Sequence, residues 1–407
     1  MEKIFKTVLF SMALLLSASV YSQQSTDWRG PGRDGIYNER GLLDQWPPEG
    51  PEIAWTIEGL GQGFSSPAFA GGKIYVTGMI DQTGYLFILS EGGTLEKKFE
   101  YGPEFHDSYP GTRSVPLIKD GLLYIVTGMG RLLCLDADTG REIWSRDAAN
   151  DFGGTNIRWG ITENLLIDGK RIFFAPGGKE HNIVALDRFN GDIIMTSSGT
   201  GKGELSAYCS PLLVKFPGRE ILVTLMENNI VGVDANNGRF LWSHPHTNRN
   251  KIHANNPLHL DGCIFAFSAE AGSVKLRLNE DGSSVTEEWR NTEMDPLQGG
   301  VIILDGYIYG SGTRNRGWFC IDWNSGEALW NSGELAWGAV IYADGMLYIY
   351  TERGELALVS PDKKKFDIVS RTSVTIGTAE HFTHPVINDG RLYVRRGNAM
   401  IVYNISR

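Results

Sequence analysis

Short apolar runs separated by polar turns fill the chain from residue 53 to its end, and the 3.6-residue periodicity of amphipathic helices is almost absent. The pattern predicts an all-β protein with little helix. One arrangement recurs. Cys134-Leu-Asp-Ala-Asp-Thr-Gly-Arg-Glu-Ile-Trp144 is an apolar strand, a turn of Asp, Thr and Gly, and a second strand carrying a Trp. Two apolar runs across a polar, glycine-containing turn read as a β-hairpin. The stretches from Gly232 to Trp242 and from Cys320 to Trp330 repeat the small residue, Asp, Gly and Trp at the same offsets, and Ala185 to Met195 keeps all but the Trp. A pattern that returns this often marks a repeat protein.

A second signature sets the period: a small residue or Pro, a few residues, Gly, then an apolar strand bearing, in all but one repeat, an aromatic ring. It is seen at Pro67/Gly72/Tyr75, Pro116/Gly121/Tyr124, Asn164/Gly169/Phe173, Pro211/Gly218/Leu222, Pro257/Gly262/Phe265, Val301/Gly306/Tyr309, Val340/Gly345/Tyr348 and Pro385/Gly390/Tyr393. Units of roughly 40 to 50 residues with four strand-like runs have the length of a β-propeller blade. In the second repeat the runs fall near 114–118, 122–127, 132–136 and 142–147. The expected fold is an eight-bladed propeller of four-stranded antiparallel blades. The eighth repeat lacks a Trp-bearing fourth run before the chain ends, and Ile53-Ala-Trp55-Thr-Ile57 resembles that run, so this N-terminal strand is expected to complete the last blade and leave no long free sheet edge. Trp55, Trp144, Trp242 and Trp330 are then docking residues that fill the wedges between blades.

Residues 1–22 read as a secretory signal peptide: a basic start, an apolar run from Val8 to Leu16, and a small-residue cleavage site near Ser22. That run is too short to span a bilayer as a helix. With no Cys before Cys134, the expectation is a periplasmic or extracellular protein that is not lipid-anchored. Residues 23–52 form a polar segment holding Asp27-Trp-Arg-Gly-Pro-Gly-Arg-Asp-Gly35, and 53–407 form the single propeller. The net charge of −10 excludes the basic surplus that nucleic acid or an anionic membrane would require. Cys134 and Cys320 share a repeat position that wants a small buried residue, so both read as core thiols. Cys209 and Cys263 lie in neighbouring repeats, within reach of one another.

The Ala-x-Asp-x-x-x-Gly-x-x-x-Trp pattern at 134–144, 185–195, 232–242 and 320–330 resembles the tryptophan-docking motif of the pyrroloquinoline-quinone (PQQ) propeller repeat superfamily, and the segment 27–35 is similar to the opening of exported members. The resemblance implies either of two functions. Some members are calcium-dependent quinoprotein dehydrogenases of alcohols and sugars. Others are non-catalytic, including the eight-bladed scaffold lipoprotein of the outer-membrane barrel assembly machine. The chain lacks the adjacent-cysteine pair of the alcohol dehydrogenases and any Cys-x-x-Cys-His haem site; it also lacks the lipoprotein's anchoring Cys.

The residues just before each innermost strand should crowd around one mouth of the axial channel. They supply Arg113, Arg158, Trp159, Tyr208, His253, Asn255, Gln298, Trp337 and His381, a mixture suited to a small polar ligand, an acidic cofactor or a glycan. His381 and His384 should point apart, so no metal site is expected. Neither a catalytic triad nor a paired-carboxylate motif is visible. The sequence therefore favours a non-catalytic, monomeric, exported propeller without cofactor that binds a protein, peptide or small polar ligand. A PQQ- and calcium-dependent oxidoreductase is the second reading, and a polysaccharide lyase or hydrolase the third.

Overall fold

The computed structural model describes residues 27–407, so residues 1–22, read above as a signal peptide, lie outside the described residues. The described chain is all strand and turn. Eight antiparallel sheets form a ring, an eight-bladed β-propeller. The innermost strands of blades 1 to 8 are Ala68–Ala70, Leu117–Lys119, Leu166–Asp168, Leu212–Phe216, Leu258–Leu260, Val301–Leu304, Gly338–Ala343 and Val386–Asn388. The two middle strands of each blade are almost wholly buried, as expected for sheets covered on both faces by neighbouring blades.

The recurring Asp, Gly and Trp are coupled across blades. The Asp136 carboxylate accepts from the backbone N–H groups of Asp138 and Thr139, and Asp322 does the same for Asn324 and Ser325; these bonds close the turn. The glycine of the turn has positive φ, 74° at Gly191 and 76° at Gly326. It also lies under a ring of the preceding blade. A Cβ at Gly191 would stand 2.8 Å from the Trp144 indole, and one at Gly326 2.5 Å from Trp289. Each indole N–H donates to a carbonyl at the next blade's turn: Trp144 to Arg188, Trp242 to Gly282, Trp289 to Trp323, Trp330 to Asp362 and Trp55 to Glu91, at 2.9–3.1 Å.

Ring closure follows from the same geometry. Ile53–Ile57 pairs antiparallel with Ala399–Asn404 as the outer strand of blade 8. Its register shifts between Ile53 and Trp55, the irregularity that precedes Trp144 and Trp242 in blades 2 and 4. Blade 7 has no aromatic residue at the docking position, where Ser370 stands opposite Leu358. The gap is filled from the N-terminal segment. The Trp46 backbone N–H donates to the Ser370 hydroxyl, and its buried ring lies 6.2 Å from Tyr348, much as Trp144 lies 6.3 Å from Tyr124 and Trp330 6.2 Å from Tyr309, although the Trp46 indole N–H, unlike theirs, has no partner among the described residues.

All four cysteines are free and buried. Cys209 and Cys263 do not pair. Cys209 makes backbone hydrogen bonds with Ser210 and Leu225, while Cys263 faces Glu288.

Trp46 is thus expected to behave as a docking residue although it lies outside every repeat. Trp46→Ala should lower unfolding free energy by about 3 to 5 kcal/mol, as expected for deleting a buried indole, and should match buried Trp144→Ala in chemical denaturation. A loss below about 1 kcal/mol, the range of ordinary surface changes, would remove Trp46 from the framework.

Candidate functional site

The axis of the ring is occupied by the chain itself. Buried Arg29 donates to the carbonyls of Gly299 and Val301 in blade 6 and Val340 in blade 7, at 2.8–3.4 Å. Buried Arg33 donates to Asn164 and Leu165 in blade 3 at 2.8 Å, and the Asn256 amide of blade 5 donates to the Arg33 carbonyl at 2.8 Å. Trp28 packs edge-on against His384 of blade 8, with ring centroids 5.1 Å apart. Ile36–Tyr37 then adds a short parallel strand to the inner strand of blade 7. Only glycine fits beside these arginines: a Cβ on Gly300 would overlap the Arg29 guanidinium at 1.7 Å. Burial lowers Arg29 to about 10, which leaves it charged near neutrality. Residues 27–37 of the polar segment read from the sequence are therefore an axial plug, with Arg29 and Arg33 turned onto strand carbonyls.

The residues expected at the mouth divide into two sets. Tyr208, His253 and Asn255 are buried braces. The Tyr208 hydroxyl accepts from the Trp159 N–H, and Asn255 bonds Pro296, Leu297 and Gly300. His253 Nε2 sits 3.4 Å from the Glu227 carbonyl, its ring 5.5 Å from His246, and burial pushes it down to about 4. Arg113 also braces: it donates to the carbonyls of Ser108, Tyr109 and Gly111, and its guanidinium lies 4.6 Å from the Phe105 ring centre.

The second set remains reachable. Exposed Arg158 stacks on half-buried Trp159 at 4.5 Å, and that indole lies 6.3 Å from Tyr208. Half-buried Trp337 lies 5.9 Å from Phe382. Gln298 and His381 are partly accessible, and His381 Nδ1 is 2.6 Å from the Tyr350 hydroxyl. Burial, then the Arg396 charge, lowers His381 to about 4. His381 and His384 do point to different neighbours. No group of three or more His, Cys, Asp or Glu side chains among the described residues could hold a metal ion.

Sequence reasoning missed Phe64, Tyr109 and Phe382 as a unit. Phe382 lies 5.9 Å from Phe64 and 6.0 Å from Tyr109. Aromatic residues in three separate entry loops were the available signal.

A family model described as outer membrane protein assembly factor BamB matches residues 91–332, more than half of the chain. The chain belongs to this family. Curated relatives of the BamB-family chain include quinoprotein alcohol dehydrogenase PedH of Pseudomonas putida, 24% identical over 243 residues, which cover 58% of this chain and 36% of the relative. Another is outer membrane protein assembly factor BamB of Kangiella koreensis, 26% identical over 138 residues, 33% of this chain and 32% of the relative. The chain thus spans about a third of the length of either curated relative. Among solved structures, BamB from Moraxella catarrhalis shares the fold with a TM-score of 0.65 at 15% identity, covering 87% of this chain and 99% of that one.

Beside the plug of this BamB-family propeller, Glu163 is buried; one oxygen accepts from the Ala175 N–H at 3.0 Å and the other has no partner. Burial pushes its carboxyl up to about 8, against the pull of Ala175 and Arg33. A raised carboxyl means that the folded state binds more protons than the unfolded one between the ordinary value of 4.5 and about 8. Its contribution to stability is fully present below that window and falls as pH rises through it. Glu163→Gln should flatten the decline in denaturation midpoints between pH 5 and 8; an unchanged slope would show that Glu163 is not the group responsible.

Proposed function

We propose that the protein is an exported, non-catalytic binding propeller that holds a protein, peptide or small polar ligand on the loops of its mouth. The carrying observation is the axial plug. It commits Arg29, Arg33 and Asn256 to the chain's own backbone, which leaves the half-buried aromatic residues and exposed Arg158 of the entry loops as the accessible recognition surface. The family description, an assembly factor, agrees with a role in holding a partner. Export to the periplasm or beyond rests on the leader read at residues 1–22, and no helix among the described residues is long and apolar enough to cross a membrane.

The likeness to PedH supports a second reading, a quinone-dependent oxidoreductase. The residues present do not fit a calcium–quinone pair. Arg29 and Arg33 on the axis and Arg113 at the mouth already serve backbone carbonyls, which leaves exposed Arg158 as the one mouth arginine of the sequence reading free for a quinone carboxylate. Burial pushes the carboxyl of Glu163, beside Arg33, up to about 8, which opposes the ionised form that a carboxylate ligand to calcium takes.

Titration of the purified protein with pyrroloquinoline quinone and calcium separates the readings. The expected result is no saturable change in absorbance and no dye-linked oxidation of alcohols or sugars. Saturable binding with turnover would overturn the binding-propeller reading.

A further inference from the structure

We infer that the mouth face where the entry loops of blades 7, 8, 1 and 2 meet is a binding site for a neutral glycan; the inference rests on the binding-propeller reading and names its ligand class. Trp337, Phe64 and Tyr109 all surround Phe382, with ring centroids 5.9–6.0 Å from it and mutual tilts of 31–42°. The three rings thus converge on Phe382 from separate loops, with Tyr109 exposed and the other three residues half-buried.

Tyr109 carries the argument further. It is 47% exposed and has a φ of 50°, a left-handed backbone that bulky side chains avoid. The loop is locked in that shape by the Arg113 guanidinium, which caps the carbonyls of Ser108, Tyr109 and Gly111. Strain maintained at an exposed aromatic residue, with a dedicated brace beneath it, points to a surface kept in place for a ligand.

An open cleft of about 490 Å³ is lined by the loop that carries Tyr109 and by Gln62, Asp81, Gln82, His106 and Asn398 among others. Pro110, next to Tyr109 in the chain, also lines it. Asp81 and Gln82 form a tight turn with φ of 48° and 67°, and the Gln82 carbonyl accepts from the Glu104 N–H at 2.9 Å, so the turn is anchored. Carboxamides offer a donor and an acceptor side by side, which suits neighbouring hydroxyl groups. The aromatic faces suit the C–H face of a pyranose ring, giving the apolar wall and few polar groups of a small-ligand site. The cleft has no Lys or Arg in its lining, so a neutral sugar fits better than an acidic one.

The test is calorimetric titration of the full mature chain with cellohexaose, xylohexaose, mannohexaose and maltohexaose, beside hexagalacturonate and a proline-rich decapeptide. At least one neutral hexasaccharide should bind saturably, and Phe382→Ala and Tyr109→Gly should each weaken it by at least tenfold. Because glycine adopts a φ of 50° freely, Tyr109→Gly should keep or raise the melting temperature, which separates loss of the site from loss of the fold. The inference is overturned if no neutral hexasaccharide saturates, or if binding survives both substitutions. It is equally overturned if the decapeptide or hexagalacturonate binds more tightly and is the ligand lost in Tyr109→Gly, although the binding-propeller reading would then stand. Quinone-dependent turnover would instead strike that reading itself.

Discussion

A flat ring carried by the outer strand of one blade lies on the turn of the next, and in several blades it rests directly on the turn glycine. That glycine must satisfy two demands at once: a left-handed backbone and space for the neighbour's ring. At Gly191 any Cβ would meet Trp144, and at Gly326 it would meet Trp289. The turn fixes where the indole can lie, and the indole N–H satisfies a carbonyl at that turn. Burial of each ring therefore joins two blades with one side chain, and the spacing of Asp, Gly and Trp in the sequence is the trace of that joint.

The repeats leave blade 8 without an outer strand and blade 7 without a docking ring, and the N-terminal segment supplies both. The strand at Ile53–Ile57 gives blade 8 its outer edge, Trp46 takes the docking place that Ser370 leaves empty in blade 7, and residues 27–37 bind the inner strands from the axis. Function is affected by the same arrangement. With the axis filled by its own arginines, the mouth loops are the accessible surface left to the proposed binding role.

Much of this was legible in the chain. The recurring signature of Gly before an apolar, mostly aromatic strand carried the blade count, and the likeness of residues 53–57 to the Trp-bearing strands carried the closure, because both depend on short-range alternation and turn chemistry. Trp289 escaped because the hairpin before it, with Asn279, Asp281 and Gly282, lacks the Asp-to-Gly spacing of the other copies. Trp46 and the plug escaped for a different reason: their partners, Ser370 and the carbonyls of blades 3, 6 and 7, are distant in sequence, and a polar arginine-rich stretch gives no local sign that it will be buried. The mouth was only half legible. Entry loops lack strand periodicity, so nothing in the sequence separates inward-facing His253 and Asn255 from accessible Arg158 and Trp337.

The central claim, that the ring is held shut by its own N-terminal segment, is tested most directly by amide hydrogen exchange on the mature chain and on one beginning after Ile57. Protection is expected to fall first and most at Ala399–Asn404 and Gly338–Ala343, the strands that lose partners, while the middle strands of blade 4, Arg219–Leu225 and Asn229–Asp234, exchange as before. Unchanged protection at those two strands, or equal loosening of every blade, would contradict it.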